Sequence, residues 1–388
     1  MGFFTRTRLT RACLAIFVVG TLVAACQSRV TVDTTVDTAG ESSVADTRPQ
    51  VSTTTPIPTT RAAPLVFAGL TVAALGDWYA NDPDQGRYVQ DAEQTRDAII
   101  EAAPEVLLVL GDFSYDGHSP ERFFEFVEPL EAVIPIYPAY GNHDGIVEGE
   151  LTRPDFYRAL REHFSVSEEW YSFEVGPIHF ISINSEYPEG SDGFEKQFVD
   201  LSEDLAAASS NDSVKVIIPF FHRTMVNPVS PDGPDRTLQE FVYPLLDRYS
   251  AKIPLALQAH HHVYTRTHAI SYSEQRNEDR CRDTEGGIMC DALHGVVDRG
   301  TGTNPTVYGS DGIVFVTVGT GGAFPTGRTP DGPYVAVRMV PVSTTEDDPA
   351  AGTFGYLHLT LDDELESIEG EYRANNGQVL DWFAIELP

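Results

Sequence analysis

Apolar runs that stop abruptly at Gly-Asp or Gly-Asn restrict this chain's fold more than anything else in it. Leu65 to Leu75 (LVFAGLTVAAL) ends at Gly76-Asp77, Glu105 to Leu110 (EVLLVL) at Gly111-Asp112, and Ile134 to Tyr140 at Gly141-Asn142. Runs of this kind fit strands buried on both faces. Helical segments separate them. One covers Asp91 to Ala103, with Ile99 and Ile100 on its apolar side and Pro104 closing it. Another opens at Ser119-Pro120, with the cap residue ahead of a Pro at the first helical position. Pro154 to His163 reads as a third.

The pattern then changes. Trp170 to Val175 and Pro177 to Ile183 read as antiparallel neighbours about a Gly-Pro turn. An amphipathic helix over Phe194 to Ala208 follows, then a strand from Val214 to Ile218 running towards His222. A helix over Thr237 to Tyr249 precedes a strand from Ile253 to Gln258 that leads to His260. Four more strands are expected at Ile313–Val318, Tyr334–Val340, Phe354–Leu359 and Leu380–Ile385. Alternating strands and helices mean βα units and a largely parallel sheet, and the β-rich last third adds strands to it. The economical architecture is α/β, an α+β sandwich of two mixed sheets packed face to face with flanking helices.

In such sheets, donors at the carboxyl ends of successive strands converge in space. Asp77, Asp112, Asn142, His222 and His260 all hold that position. With Tyr115, His143, Asp144 and His262 they form a set of oxygen and nitrogen donors large enough for two cations, a bridging carboxylate included.

Bulk properties bound the rest. Residues 1–25 start with Arg6, Arg8 and Arg11, continue as an apolar run too short for a comfortable membrane span, and read as an export signal. Val23-Ala24-Ala25-Cys26 resembles a bacterial lipobox, which implies lipidation at Cys26 and a protein exported to the cell surface or periplasm on a lipid anchor. An ordinary cleaved signal is the alternative. Residues 26–63 are rich in Thr, Ser and Pro and poor in large apolar side chains, so they are expected to be a disordered tether ahead of a domain over 64–388. The formal charge is -32, with Lys only at 196, 215 and 252. A field this negative disfavours nucleic acid as a partner. Cys281 and Cys290 most simply form a local disulfide in an exported protein, with a zinc site involving His294 as the alternative.

Taken together, Gly76-Asp77, Gly111-Asp112-Phe113-Ser114-Tyr115, Gly141-Asn142-His143-Asp144 and His260-His261-His262 resemble the calcineurin-like metallophosphoesterase superfamily, and within it the purple acid phosphatases. Tyr171 to Phe180, Thr317 to Gly322 and Val379-Leu380-Asp381 add to the likeness. Each motif is modest alone, but their order and spacing are specific. The resemblance implies the four-layer metallophosphoesterase fold and a dinuclear centre. Asp112 would bridge the metals, Asp77, Tyr115 and His262 would complete one site, and Asn142, His222 and His260 the other. It further implies Fe(3+) at the Tyr115 site, Zn(2+), Fe(2+) or Mn(2+) at the second, and hydrolysis of phosphate monoesters by a metal-bound hydroxide. His143 would be the acid beside the leaving group, oriented through its ring by Asp144.

The chain departs from the family at several points. Tyr79 stands where the family usually has Gly and where ordinary superfamily members carry a His, so a reach from Tyr79 to metal or cleft stays open. Ala259 replaces the usual Gly. No Pro closely follows His222, leaving Arg223 as a candidate bidentate contact to substrate phosphate. His261 is expected to support the ligands, and His118, His163 and His179 to have no special role. The polar insertion 271–311 follows directly after metal ligands, where it would overhang the cleft. A phosphodiesterase or nucleotidase on the same scaffold, acting on other phosphoesters, and a non-enzymatic surface binding lipoprotein are the competing functions.

Overall fold

The computed structural model describes residues 69–388 apart from 79–85, 114, 116–119, 148–149, 167–168, 227–233, 273–280, 285–286, 291–293, 326–333 and 344–351. Met1–Ala62 is a unit separate from Ala63–Pro388. The expected signal, the tether, Cys26, Tyr79 and His118 therefore lie outside the described residues. Among the described residues no helix is long and apolar enough to cross a membrane.

Two seven-stranded mixed sheets build the domain. In the first, the strands run in the order Thr306–Tyr308, Val379–Glu386, Ser367–Ala374, Gly355–Leu361, Leu70–Leu75, Val106–Leu110 and Ile136–Ala139. The last three are parallel, with Ala74 beside Leu108 and Leu108 beside Tyr137. In the second the order is Val335–Met339, Tyr264–Thr267, Val314–Val318, Leu255–Gln258, Val216–Phe221, Ile178–Ile183 and Tyr171–Val175. Its four central strands are parallel and its edges antiparallel.

Strand alternation explains the layers. Val216, Ile218 and Phe220 belong to a core shared with Leu107, Val109 and Leu357 of the first sheet. Ile217 and Phe221 point the other way, into a second core with Leu201 and Leu205 of helix Asp192–Ser210. Side chains one residue apart on a strand face opposite sides, so each central strand serves two cores. Helices Gly86–Ala102 and Pro120–Glu131 cover the first sheet through Ile99, Phe123 and Val127. Helix Asp192–Ser210 is capped by Ser191, whose hydroxyl accepts the Phe194 N–H at 3.2 Å.

Three expectations change in detail. The single helix over 237–249 is a π turn, Leu238–Val242, continuing as the short helix Tyr243–Asp247. Ser367–Ala374 is a strand that the sequence reading left out. Residues 271–311 are not a plain loop over the cleft. His294–Asp298 pairs with Ala269–Tyr272, and Thr306–Tyr308 joins the first sheet beside Val379–Glu386. The hairpin between Cys281–Thr284 and Gly287–Cys290 sets Cys281 opposite Cys290 in register, as the expected disulfide requires; their side chains lie outside the described residues.

Candidate metal centre

Asp77, Asp112 and His260 are placed by the backbone before any side chain acts. Each follows a central parallel strand within two residues and has positive φ, at 56°, 58° and 68°. Non-glycine residues enter that region at a cost of roughly 1–3 kcal/mol each, which packing elsewhere must offset. Two glycines make room at the same ends. A Cβ on Gly141 would sit 2.2 Å from Asp112 Oδ1, and one on Gly319 would sit 2.1 Å from the His261 carbonyl and 2.6 Å from Asp77 Oδ2. The methyl of Ala259 is accommodated from the opposite side: a Cβ on Gly76 would approach it to 2.5 Å, and Ala259 itself is not left-handed.

One donor group gathers around Tyr115. Its hydroxyl donates to Asp77 Oδ1 at 2.8 Å and lies 3.1 Å from His262 Nε2. The His262 Nδ1–H donates to the Phe324 carbonyl at 2.6 Å, which turns Nε2 towards the group. Asp77 Oδ2 accepts the His260 N–H at 2.8 Å, tying the first sheet to the second.

The second group surrounds His222 Nε2. Asn142 Oδ1 is 3.1 Å away, His260 Nδ1 3.2 Å and Asp112 Oδ2 3.3 Å. The other ring nitrogen of His222 donates to the Leu110 carbonyl at 2.8 Å. Asp112, His222 and His260 offer ligand atoms all within 4.8 Å of one another. Asp112 also bears on the Tyr115 hydroxyl, so it touches both groups.

Acceptors outnumber protons in both places. Two acceptor oxygens and an imidazole nitrogen surround one ring nitrogen of His222, and the single Tyr115 proton faces a carboxylate and an imidazole. Burial alone would lower the His222 pKa, but Asp112 and Asp77 overcome it and lift it to about 10. Burial likewise opposes a charged His262, and Asp77 reverses the sign. Burial would raise Asp112, yet His222, His143 and His260 hold it far below the carboxylate range. Without metal, protons supply the positive charge these donors need. Cations at the same points would meet that need directly, so the residues fit a dinuclear centre.

Asp144 departs from the role expected of it. Among the described residues its carboxylate makes no bond to the His143 ring. Its Oδ2 accepts the N–H groups of Asp112 and Gly141, both at 2.8 Å, and its Oδ1 that of Phe113 at 2.8 Å. It is fully buried and pins the Asp112 loop to the short helical turn Asn142–Asp144. His143 is half-buried; its backbone N–H donates to Asp112 Oδ1 at 2.9 Å and its ring centroid lies 4.4 Å from that of Tyr115. Arg153 holds the His143 carbonyl at 2.8 Å.

Other candidates sort by contact. His261 is buried, with Nδ1 at 3.1 Å from the Thr224 hydroxyl; burial and neighbouring positive groups push its pKa to about 3, so it supports the site as a neutral ring. Arg223 pairs with Glu186 rather than standing open. His163 bonds Glu131 and stacks on Phe124, and His179 bonds Asp204, all away from the ligands. Glu186 and Ser185 escaped the sequence reading. They follow strand Ile178–Ile183, so the rule that found Asp77 applies to them too, but no Gly-Asp stop marks the place.

The model of the family described as Calcineurin-like phosphoesterase matches residues 70–264. Human (Homo sapiens) acid phosphatase type 7 is 30% identical over 220 residues, 50% of this chain and 47% of its own length. Purple acid phosphatase 22 of Arabidopsis thaliana is 30% identical over 173 residues, 42% of this chain and 39% of its own. The chain thus spans less than half the length of these curated relatives. Among solved structures, a purple acid phosphatase from yellow lupin (Lupinus luteus) seeds superposes with a TM-score of 0.59 at 19% identity, over 82% of this chain and 54% of that one. GAP50, the anchor in the inner membrane complex of Plasmodium, gives 0.54 at 14%, over 83% and 90%. At these identities the two structures speak for the fold alone. The family model spans half of the sequence and takes in the whole of the last histidine motif, and on that ground the chain belongs to the calcineurin-like phosphoesterases, with purple acid phosphatases among its relatives.

Proposed function

We propose that this protein hydrolyses phosphate monoesters at a two-cation centre. In this reading Asp77, Tyr115 and His262 would hold Fe(3+), Asn142, His222 and His260 would hold Zn(2+), Fe(2+) or Mn(2+), and Asp112 would serve both. The observation that carries it is the excess of acceptors over protons in two adjoining groups that share Asp112. Bound there, two cations would supply Lewis acidity towards phosphoryl oxygens and would lower the pKa of water enough for it to be a nucleophile near neutral pH. The phenol of Tyr115 is a hard donor that favours a trivalent ion.

The chain's own residues do the remaining work. The Asp144 carboxylate holds the Asp112 loop in place, and Gly141 and Gly319 let the carboxylates approach. His143, half-buried with its backbone fixed to Asp112 and Arg153, is the group assigned to protonate the departing ester oxygen. The names of the acid phosphatase relatives favour monoesters over the diesters that the same ligands would serve. A net charge of -32 opposes polyanionic nucleic acid, so phosphorylated small molecules are the substrates proposed. The leader-like residues 1–25 and Cys26 would set this activity on the exported side of a membrane.

Metal content and the visible spectrum test the reading, with Tyr115→Phe beside wild type. The expected result is two metals per chain, one of them iron, and a tyrosinate charge-transfer band that the substitution abolishes. Two metals without such a band would leave a metallophosphoesterase with no iron-tyrosinate site and favour the diesterase alternative. No stoichiometric metal after reconstitution would end the hydrolytic reading.

A further inference from the structure

The flank of the centre next to His222 carries an ion pair that ligation does not need. The Glu186 side chain is 0% exposed, yet it sits 2.8 Å from Arg223 Nη2, with Arg223 Nε at 3.0 and 2.9 Å from its two oxygens. Such pairs repay little of their desolvation cost, so stability is a weak reason for one here. Direction is what the pair secures. The Arg223 N–H donates to Ser185 Oγ at 2.9 Å, the Glu186 N–H to Asn184 Oδ1 at 3.0 Å, and the Met225 N–H to Gln258 Oε1 at 2.9 Å. Nε and Nη2 are spent on Glu186. Among the described residues Nη1 bonds nothing, and the Arg223 side chain is 24% exposed.

The pair lies within electrostatic reach of the ligands. Arg223 acts on Asp112 and His260, and Glu186 on His222 and Asp112. Asp235 is another carboxylate near the guanidinium, and its Oδ1 is occupied by the Leu238 N–H at 2.9 Å.

We propose that Glu186 is a positioning residue that aims the Nη1 edge of Arg223 at a phosphoryl oxygen of the bound substrate, and that this contact selects monoesters over diesters. The inference rests on the proposed function and specifies its substrate class. A monoester carries three unesterified phosphoryl oxygens and a diester two. The third is a charged acceptor in one and a substituted oxygen in the other, and a fixed guanidinium N–H tells them apart. Glu186 cancels the charge of Arg223, so the contact works as a directed donor rather than as general attraction.

Calorimetric titration of orthophosphate and of dimethyl phosphate into the metal-loaded full chain tests this. Arg223→Ala is expected to weaken orthophosphate about 10-fold to 100-fold, as loss of a charged hydrogen bond does, and to leave dimethyl phosphate unchanged. Arg223→Lys should recover part of the loss, and Glu186→Gln should shift selectivity the same way as Arg223→Ala. The double variant Arg223→Ala with Glu186→Gln removes both halves of the pair and replaces the single Glu186 variant should that one not fold. Equal weakening of both anions, no change for orthophosphate, or no orthophosphate binding by wild type would each overturn the proposal. Turnover of p-nitrophenyl phosphate by wild type reports separately on the proposed function. An active enzyme with unaltered anion selectivity removes only the role of Arg223.

Discussion

At Asp144 two carboxylate oxygens receive backbone N–H groups from Gly141, Asp112 and Phe113. An ionised carboxylate can accept all three, whereas an amide accepts at one oxygen and presents N–H donors at the other. Asp144→Asn therefore sets donor against donor inside a fully buried cluster. The expected cost is about 1–3 kcal/mol per orphaned group, a melting temperature several degrees lower, and loss of bound metal as the Asp112 loop loosens. Thermal melts with metal analysis decide it. Unchanged melting and metal content with an altered pH–rate profile would instead return Asp144 to the part of partner to the His143 ring. The sequence made Asp144 conspicuous through its place beside His143, but neighbours in sequence need not face each other, and the Asn142–Asp144 turn sends the carboxylate back under the Asp112 loop. Glu186 was hidden for the converse reason. It meets Arg223 across 37 positions, and nothing local announces so distant a pair.

Among the elements, strand Ile178–Ile183 faces carboxylates of a covering helix and of the edge strand through His179. Nε2 is 3.0 Å from Asp204 Oδ2 on helix Asp192–Ser210, and Nδ1 is 3.5 Å from Glu174 Oε1 on the edge strand. Burial works against a charged ring here, but the Asp204 and Glu174 contacts raise the pKa above the ordinary histidine value of 6.5. A raised folded-state pKa stabilises fully below the unfolded value and loses that contribution as pH rises through the folded one. Both carboxylates are partly exposed, so the effect is held to about 1 kcal/mol or less. His179→Gln should thus melt below wild type in acid, with the gap closing as pH rises past the ordinary histidine value and through the raised folded one. A gap constant with pH would mean that packing alone is lost. Strands such as Val106–Leu110 were legible because burial on both faces leaves an unbroken apolar run. Two others misled for physical reasons. The strand expected to end at Ile218 runs on through Pro219 to Phe221, and its ladder to Leu255–Gln258 is the single pair Phe220 and Leu257. Ser367–Ala374 was passed over, its apolar pattern interrupted by Gly370, where a Cβ would meet the Phe383 ring at 2.2 Å.

For the whole molecule, two facing sheets were inferable from alternating elements, but which late strand joins which sheet was not, because long-range pairing leaves no local trace. Arg266 and Asp381 record that pairing. Arg266 is on Tyr264–Thr267 of one sheet and Asp381 on Val379–Glu386 of the other, joined at 2.7 Å from Nε to Oδ2 and 2.9 Å from Nη2 to Oδ1. The Tyr264 hydroxyl adds a third bond to the carboxylate at 2.7 Å, and Arg266 Nη1 donates to the Tyr308 hydroxyl. The guanidinium is 1% exposed and lies 5.0 Å from the Phe383 ring centre. Removing one partner strands a buried charge, which costs about 3–5 kcal/mol, whereas replacing both with apolar groups costs far less. Asp381→Ala should lower the urea midpoint steeply at unchanged slope, and Arg266→Met with Asp381→Leu should recover much of that loss. The proposed metal centre should register it too, since Asp77 belongs to one sheet and the His260 N–H that holds it to the other. In Asp381→Ala, metal release is therefore expected at urea concentrations below those that unfold the chain. Release and unfolding at one midpoint would mean that the sheets separate only when everything else does, and that the ion pair adds stability without governing the centre.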